Sequence, residues 1–446
     1  MPTSSRTAGQ EPRRRTLLPA AEASPEALDH ALFAAFCAVL LFGPLAFGAV
    51  EEWSIFALET GAALLLLLWA ARQIAAGRLS IPYHPLYGPM GLLGAVVAAQ
   101  LALGLSAYRY ATWTESLHYA AYGILVVVAV QCLGLRGRMK LFALVLTVFA
   151  FLLAFLGIAQ DLLPNGRLYW LRTPHVAGWM FGPYVNHAHY AGLMEMLTPF
   201  PLVLAMTPHF KGGQRILIAF AAVVAGSSIF FSGSRGGMAA FAAEVLFLGW
   251  MLIRRKRGYR TGLAFMAVVL LTAVFLMLFA KQRVFQQMAT VDAPLAENAA
   301  GMRLHIDRDG LRMFASRPLV GWGLGTFPYF YPQFRSFYTN TFINEAHNDY
   351  LQLLVETGVL GFAACLWFLV ALFRHGIKRS AHWQESVTHA VRLGALAGCG
   401  GLLVHSFFDF NLQIPANAAI FYVLAVTATA PREDNNVIHW PREKAA

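Results

Sequence analysis

The residues whose types could do chemistry cluster around one stretch, Asn344-Glu345-Ala346-His347-Asn348-Asp349-Tyr350-Leu351. It lies where a long polar segment meets a new apolar helix. His347 falls at the helix start, with Asn344 or Asn348 available to cap free backbone N–H groups. An imidazole there is placed to accept a proton from a hydroxyl at a water-accessible membrane surface. The plainer reading is an interfacial histidine that anchors the helix. Two arginines stand out beside it. Arg235 lies in Ser232-Gly233-Ser234-Arg235-Gly236-Gly237, where glycines leave backbone N–H groups open next to a guanidinium. Arg303 opens a predicted helix in the polar segment. A guanidinium with exposed amides suits an anionic phosphate. The alternatives are an arginine reaching to lipid headgroups and a helix with a solvated basic face.

Further polar residues are candidates for lining or supporting such a site. These are Ser234, Asn186, His187, Arg172, Asn348 and Asp409. His187 and His189 point to different faces of one helix, so a metal pair is not expected. Asp307-Arg308-Asp309 sits mid-helix with no strand before it, and no metal is assigned to it. His405, Asp409 and Asn411 close another apolar run, where polar groups must face protein or water. No phosphate-binding glycine loop, dinucleotide fingerprint or zinc-protease motif occurs, and no cofactor is expected.

The elements that must carry these residues are membrane helices. Of 446 residues, 58% are hydrophobic and 13% charged, and the mean hydropathy is +0.54. Such a composition implies an all-α, polytopic membrane bundle. About twelve apolar runs are long enough to count as spans. They fall near 31–49, 54–76, 86–105, 113–134, 139–160, 187–207, 214–231, 235–253, 261–280, 347–373, 387–409 and 414–430. The first is read as uncleaved. Residues 1–29 read as a disordered cytoplasmic tail, 30–280 as spans one to nine, 281–346 as a periplasmic helical loop, 347–430 as spans ten to twelve, and 431–446 as a second cytoplasmic tail. Within the loop, Leu304, Leu311 and Phe314 recur at helical spacing.

The formal charge of +11 invites a nucleic-acid reading, but its distribution excludes that. Lysine and arginine crowd alternate loops, which fixes both termini on the cytoplasmic side. Cys37, Cys132, Cys365 and Cys399 lie in apolar runs with no metal-ligand spacing.

Several of these pieces resemble the bacterial O-antigen ligase and polymerase superfamily. They are Phe181-Gly182-Pro183-Tyr184-Val185-Asn186-His187-Ala188-His189-Tyr190-Ala191-Gly192, Ser232-Gly233-Ser234-Arg235-Gly236, Arg303, Pro318-Leu319-Val320-Gly321-Trp322-Gly323-Leu324-Gly325, and His347-Asn348-Asp349-Tyr350-Leu351 running into Glu356-Thr357-Gly358-Val359-Leu360-Gly361. They appear in order over roughly residues 180–430, and the first five spans carry no specific motif.

The resemblance implies an inner-membrane glycosyltransferase of the GT-C type, working on the periplasmic side without metal or nucleotide. It would take a glycan from undecaprenyl pyrophosphate and pass it, with inversion, to a lipid A–core or glycan acceptor. His347 matches the family's catalytic histidine, and Arg235 and Arg303 match the arginines that bind the pyrophosphate. Ligase, O-antigen or exopolysaccharide polymerase and protein O-oligosaccharyltransferase differ in acceptor, which the motifs do not reveal; the family's usual naming favours ligase. A second class of reading is a membrane transporter or lipid-glycan carrier. It would call for buried charged pairs at mid-membrane, and Glu59, Glu195 and Glu244 are the notable acids within spans.

Overall fold

Long apolar runs in this chain become helices because a backbone inside lipid must satisfy its own hydrogen bonds. The computed structural model describes residues 25–135, 137–174, 178–254, 259–279, 299–340, 342–430 and 437–440. The expected N-terminal tail through residue 24, residues 280–298 of the expected loop and most of the expected C-terminal tail lie outside the described residues.

The helices are α1 (Pro25–Leu45), α2 (Glu52–Ala75), α3 (Tyr87–Ala102), α4 (Arg109–Leu133), α5 (Arg138–Leu162), α6 (His187–Leu197), α7 (Pro199–Met206), α8 (Gly212–Phe231), α9 (Arg235–Arg254) and α10 (Tyr259–Phe279). After them come α11 (Ala299–Ser316), α12 (Asp349–Arg379), α13 (Val387–His405) and α14 (Pro415–Thr429). Among the described residues, eight helices are long and apolar enough to cross a membrane, with shorter apolar helices alongside them. The protein is an all-α, multi-pass membrane protein. Among the described residues the one sheet is a small antiparallel pair, β1 (Leu79–Pro82) with β2 (Val437–Trp440).

The sixth expected span is broken. α6 ends at Leu197 and α7 begins at Pro199, whose ring removes a backbone donor. Both pieces are almost wholly buried, as are α13 and α14. These four helices form the middle of the bundle. Small residues on α13 let them meet: a Cβ on Gly398 would lie 2.6 Å from the Met196 carbonyl oxygen, and one on Gly394 3.1 Å from Val203. Close backbone approach of this kind is how helices associate where lipid gives no hydrophobic drive. The outer helices turn Phe56, Leu67, Phe155 and Leu246 outward, as lipid-facing surfaces require.

α12 is interrupted at Gly358, with φ 63° and ψ −168°. The segment 318–327 lies against the break. Trp322 N–H donates to the Val355 carbonyl and Gly323 N–H to that of Glu356, while Val359 N–H donates to Pro318. The Glu356 carboxylate accepts from Gly325 N–H at 2.9 Å and Phe327 N–H at 3.1 Å. Gln100 from α3 completes the knot, donating to the carbonyls of Val320 and Glu356. The glycine-rich run is thus a backbone plug for a broken membrane helix.

α11 forms as the sequence predicts, but on a different face. Leu304 and Leu311 are exposed, while Ile306, Gly310 and Met313 are buried against α12 and the 322–346 segment. Of the expected stripe only Phe314, half-buried, packs against that cluster. Asp309 explains part of the shift: it is buried and accepts from Ser336 N–H at 2.8 Å, Ser336 Oγ at 3.0 Å and Arg312 at 3.2 Å.

Candidate active site

Asn348 is the cap of α12. Its side-chain oxygen accepts from Leu351 N–H at 3.2 Å, and its Nδ2 reaches Asp307 at 3.5 Å. That decides between the two candidate asparagines. The residue before it, His347, has φ 53°, a left-handed conformation that costs a non-glycine residue energy. Surrounding bonds over-determine it: Ala346 N–H donates to Gln352 Oε1 at 2.9 Å, Gln352 also bonds Glu345, and Asp349 N–H donates to the Ser406 carbonyl.

The strain aims the imidazole at the turn after α13. His347 Nδ1 lies 3.4 Å from Asp409 Oδ1, and its ring meets Phe410 edge-on at 4.8 Å. The contact has ion-pair distance without hydrogen-bond geometry. Arg303 Nη2 sits 3.6 Å from the other Asp409 oxygen, and His189 Nε2 3.8 Å from Oδ1. Asp409 is therefore the hub of the site, buried while Arg303 and His347 keep part of their surface open. Burial would raise its carboxyl. The facing His189 and His347 rings and the Arg303 guanidinium overcome that and hold it well below the usual carboxylate range. Asp307 behaves oppositely: burial pushes its carboxyl up, against the pull of Asn348, Arg303 and His347.

The end of α13 organises the rest. Ser406 Oγ donates to Asp349 at 2.7 Å, and His405 Nδ1 pairs with Glu195 of α6 at 2.9 Å. The Arg235 turn packs on that pair. A Cβ on Gly236 would lie 2.6 Å from the His405 ring, and one on Gly237 3.0 Å from Glu195 Oε1. Arg235 itself is exposed at the start of α9, and Ser234 Oγ caps that start by accepting from Gly237 N–H at 3.1 Å. Asn186 caps α6 through Ala188 N–H at 2.8 Å and lies 3.2 Å from His189 Nε2. His187 stacks on Trp179 at 4.5 Å.

The structure thus brings His347, Arg303, Asn348 and Asp409 together directly, with Asn186 joined through His189. It sets the two glycines that follow Arg235, Gly236 and Gly237, against the His405–Glu195 pair. Arg172 goes elsewhere: it bonds Glu51 at 2.5 Å and stacks over Phe47. Sequence reasoning weighed His189 only as half of an unexpected metal pair and named Glu195 only as an acid within a span. The available signal was a polar residue facing inward from a mostly apolar helix. Among the described residues no group of three or more His, Cys, Asp or Glu could hold a metal ion.

Residues 220–366, from α8 to the middle of α12, match the family described as O-antigen ligase. Over this third of its length the chain is similar to the O-antigen ligase family. The matched segment contains Arg235, Arg303 and His347, whereas Asp409, His189 and Glu195 lie outside it. No curated protein matches the chain.

Proposed function

We propose that the chain is an O-antigen ligase-like glycosyltransferase. It moves a glycan from undecaprenyl pyrophosphate to a hydroxyl of lipid A–core on the periplasmic face of the inner membrane. The observation that supports this best is the single carboxylate shared by a histidine and an arginine: Asp409 faces His347 and Arg303 at 3.4 and 3.6 Å. With Nδ1 turned to Asp409, His347 offers Nε2 to the acceptor. The acceptor O–H proton passes to Nε2 as its oxygen attacks the sugar C1. The C1–O bond breaks, its electron pair goes to the departing pyrophosphate, and attack from the opposite face inverts the centre. Charge grows on that pyrophosphate, where the guanidinium groups of Arg303 and Arg235 stabilise it. The chemistry asks nothing of a metal.

The test separates base from clamp. His347→Ala abolishes detectable transfer, since base assistance is worth about 10²–10⁴ in rate, but leaves binding of an undecaprenyl pyrophosphate analogue nearly intact. Arg235→Ala and Arg303→Ala lower both. Equal loss of binding in His347→Ala and Arg235→Ala overturns the assignment. Three variants that bind and turn over normally overturn the transferase reading. Deleting the gene distinguishes acceptors: unligated polymer marks a ligase, single repeats a polymerase. Orientation is read by cysteine labelling of intact cells at Leu311 and Lys378, both exposed. The first labels from outside and the second does not.

A further inference from the structure

Gln352 is the fourth residue of α12 and is 2% exposed. A primary amide buried that deeply must find partners for its N–H groups and its carbonyl. The backbone N–H of Gln352 donates to the Asn348 carbonyl at 3.0 Å, an ordinary helical bond. Its side chain turns back over the start of the helix. There Oε1 accepts from Ala346 N–H at 2.9 Å, and Nε2 donates to the Glu345 carboxyl. The amide also faces Glu356, which accepts from Gly325 and Phe327 N–H in the plug at the Gly358 break.

This is not an ordinary cap. In a capping box the third helical residue reaches the N–H of the cap itself. Here the fourth residue passes over His347 and pins the residue before it. His347 is thereby bracketed: Leu351 N–H holds Asn348 after it, and Gln352 holds Ala346 before it. With both neighbours fixed, the backbone at 347 is kept at its left-handed φ of 53°. That φ sets the direction in which the imidazole leaves the chain, toward Asp409 at 3.4 Å. Burial pushes the Glu345 carboxyl up, against the pull of Gln352, and the facing carboxyls of Glu356, Glu115 and Asp349 push it further. Amide and neutral acid together form a pair that is inexpensive to bury.

We propose that Gln352 is a positioning residue for the candidate base: through Ala346 N–H and Glu345 it fixes the backbone from which His347 reaches the acceptor. The proposal rests on the transferase reading above. Gln352, being buried, touches no substrate and acts through His347.

The experiment compares four full-length proteins in detergent: the parent, Gln352→Leu, Gln352→Glu, and Gln352→Glu combined with Glu345→Gln. Gln352→Leu keeps much of the volume and loses both bonds. Transfer at saturating donor falls about 10²-fold, as displacing a reacting group by about 1 Å can do, while binding of an undecaprenyl pyrophosphate analogue stays at the parent's value. Gln352→Glu still offers Ala346 an acceptor but sets a carboxyl against Glu345. Two adjoining carboxyls share one proton and resist losing it. Relative to the parent, transfer is therefore kept at about pH 6 and lost by about pH 8.5. The double variant returns one amide and one carboxyl to the pair, donor and acceptor exchanged, and recovers most of the alkaline loss. Packing alone gives neither that pH dependence nor that rescue. A flat ratio to the parent across this range in Gln352→Glu, or a double variant no better than the single one, overturns the proposal. So does donor binding that falls as far as transfer in Gln352→Leu.

A second reading needs no turnover. His347, with 28% of its side chain exposed, is open to diethyl pyrocarbonate, and its modification is followed by mass spectrometry. Gln352→Leu frees the ring from Asp409 and raises the rate at His347 severalfold; an unchanged rate overturns the proposal. If the parent transfers no glycan from a polyprenyl pyrophosphate donor, the transferase reading fails, and the modification rate still decides whether Gln352 holds His347.

Discussion

Asp409 places one carboxylate oxygen 3.4 Å from Nδ1 of His347, across 62 positions of sequence (409 − 347). The relationship makes a carboxylate outside the family-matched segment the group that orients the candidate base. It also carries a sign. The Asp409 carboxyl is held below its unfolded value, so its stabilisation is in place above the unfolded range. It fades only as pH falls through the lower folded range.

Asp409→Asn keeps the volume and removes the charge. Transfer falls roughly 10- to 100-fold, a part of the 10²–10⁴ that positioned proton transfer is worth. Melting of the purified protein in detergent shows a deficit for the variant that is constant from pH 7 to about pH 5, above the unfolded aspartate range. A deficit that vanishes within that window contradicts the depressed carboxyl.

Asp307 has the opposite sign. Its carboxyl is raised by burial, so the charged form costs stability once pH rises above the unfolded range, and the cost is complete above the folded one. Asp307→Asn therefore melts higher than the parent at pH 7, and the two converge near pH 4. A lower melting point for the variant at pH 7 refutes this.

What the sequence reveals follows from locality. Span positions, the cap at Asn348 and the helix from about 302 to 316 depend on neighbours within a few turns, and each appears near its expected place. The break at Gly358 was hidden because its free backbone groups are satisfied by residues 318–323, far away in sequence. The same holds for Glu195, whose partner His405 lies on another helix, and for Arg172, drawn off by Glu51. The exposure of Leu304 and Leu311 on α11 was not legible because a buried aspartate, Asp309, takes two of its bonds from the later segment at Ser336.

Gly358→Ala tests the plugged break. An alanine at φ 63°, ψ −168° carries strain of about 1–3 kcal/mol, and its Cβ would lie 2.4 Å from the Leu319 carbonyl oxygen. The variant melts several degrees lower or fails to accumulate. Gly400→Ala is the comparison, because a Cβ there meets nothing within 4 Å and the variant melts as the parent does. Equal behaviour of the two variants removes the plug from the account of stability.

The last prediction concerns how Arg235 is held. Gly236 follows it directly, and a Cβ at Gly236 would lie 2.6 Å from both Cδ2 and Nε2 of His405. His405 cannot easily retreat, since its Nδ1 is bonded to the fully buried Glu195 at 2.9 Å. The added methyl of Gly236→Ala must therefore push the Arg235 turn outward and leave the charge count untouched. Under the proposed assignment, donor affinity falls about as far as in Arg235→Ala, whereas the rate at saturating donor falls less than in His347→Ala. Glu195→Gln in the same background loosens the His405 ring and recovers part of the affinity. Binding of an undecaprenyl pyrophosphate analogue, measured beside turnover for the parent and these four variants, decides it. Unchanged donor binding in Gly236→Ala, with a normal melting point, would detach Arg235 from the His405–Glu195 pair and leave Arg303 to hold the pyrophosphate alone.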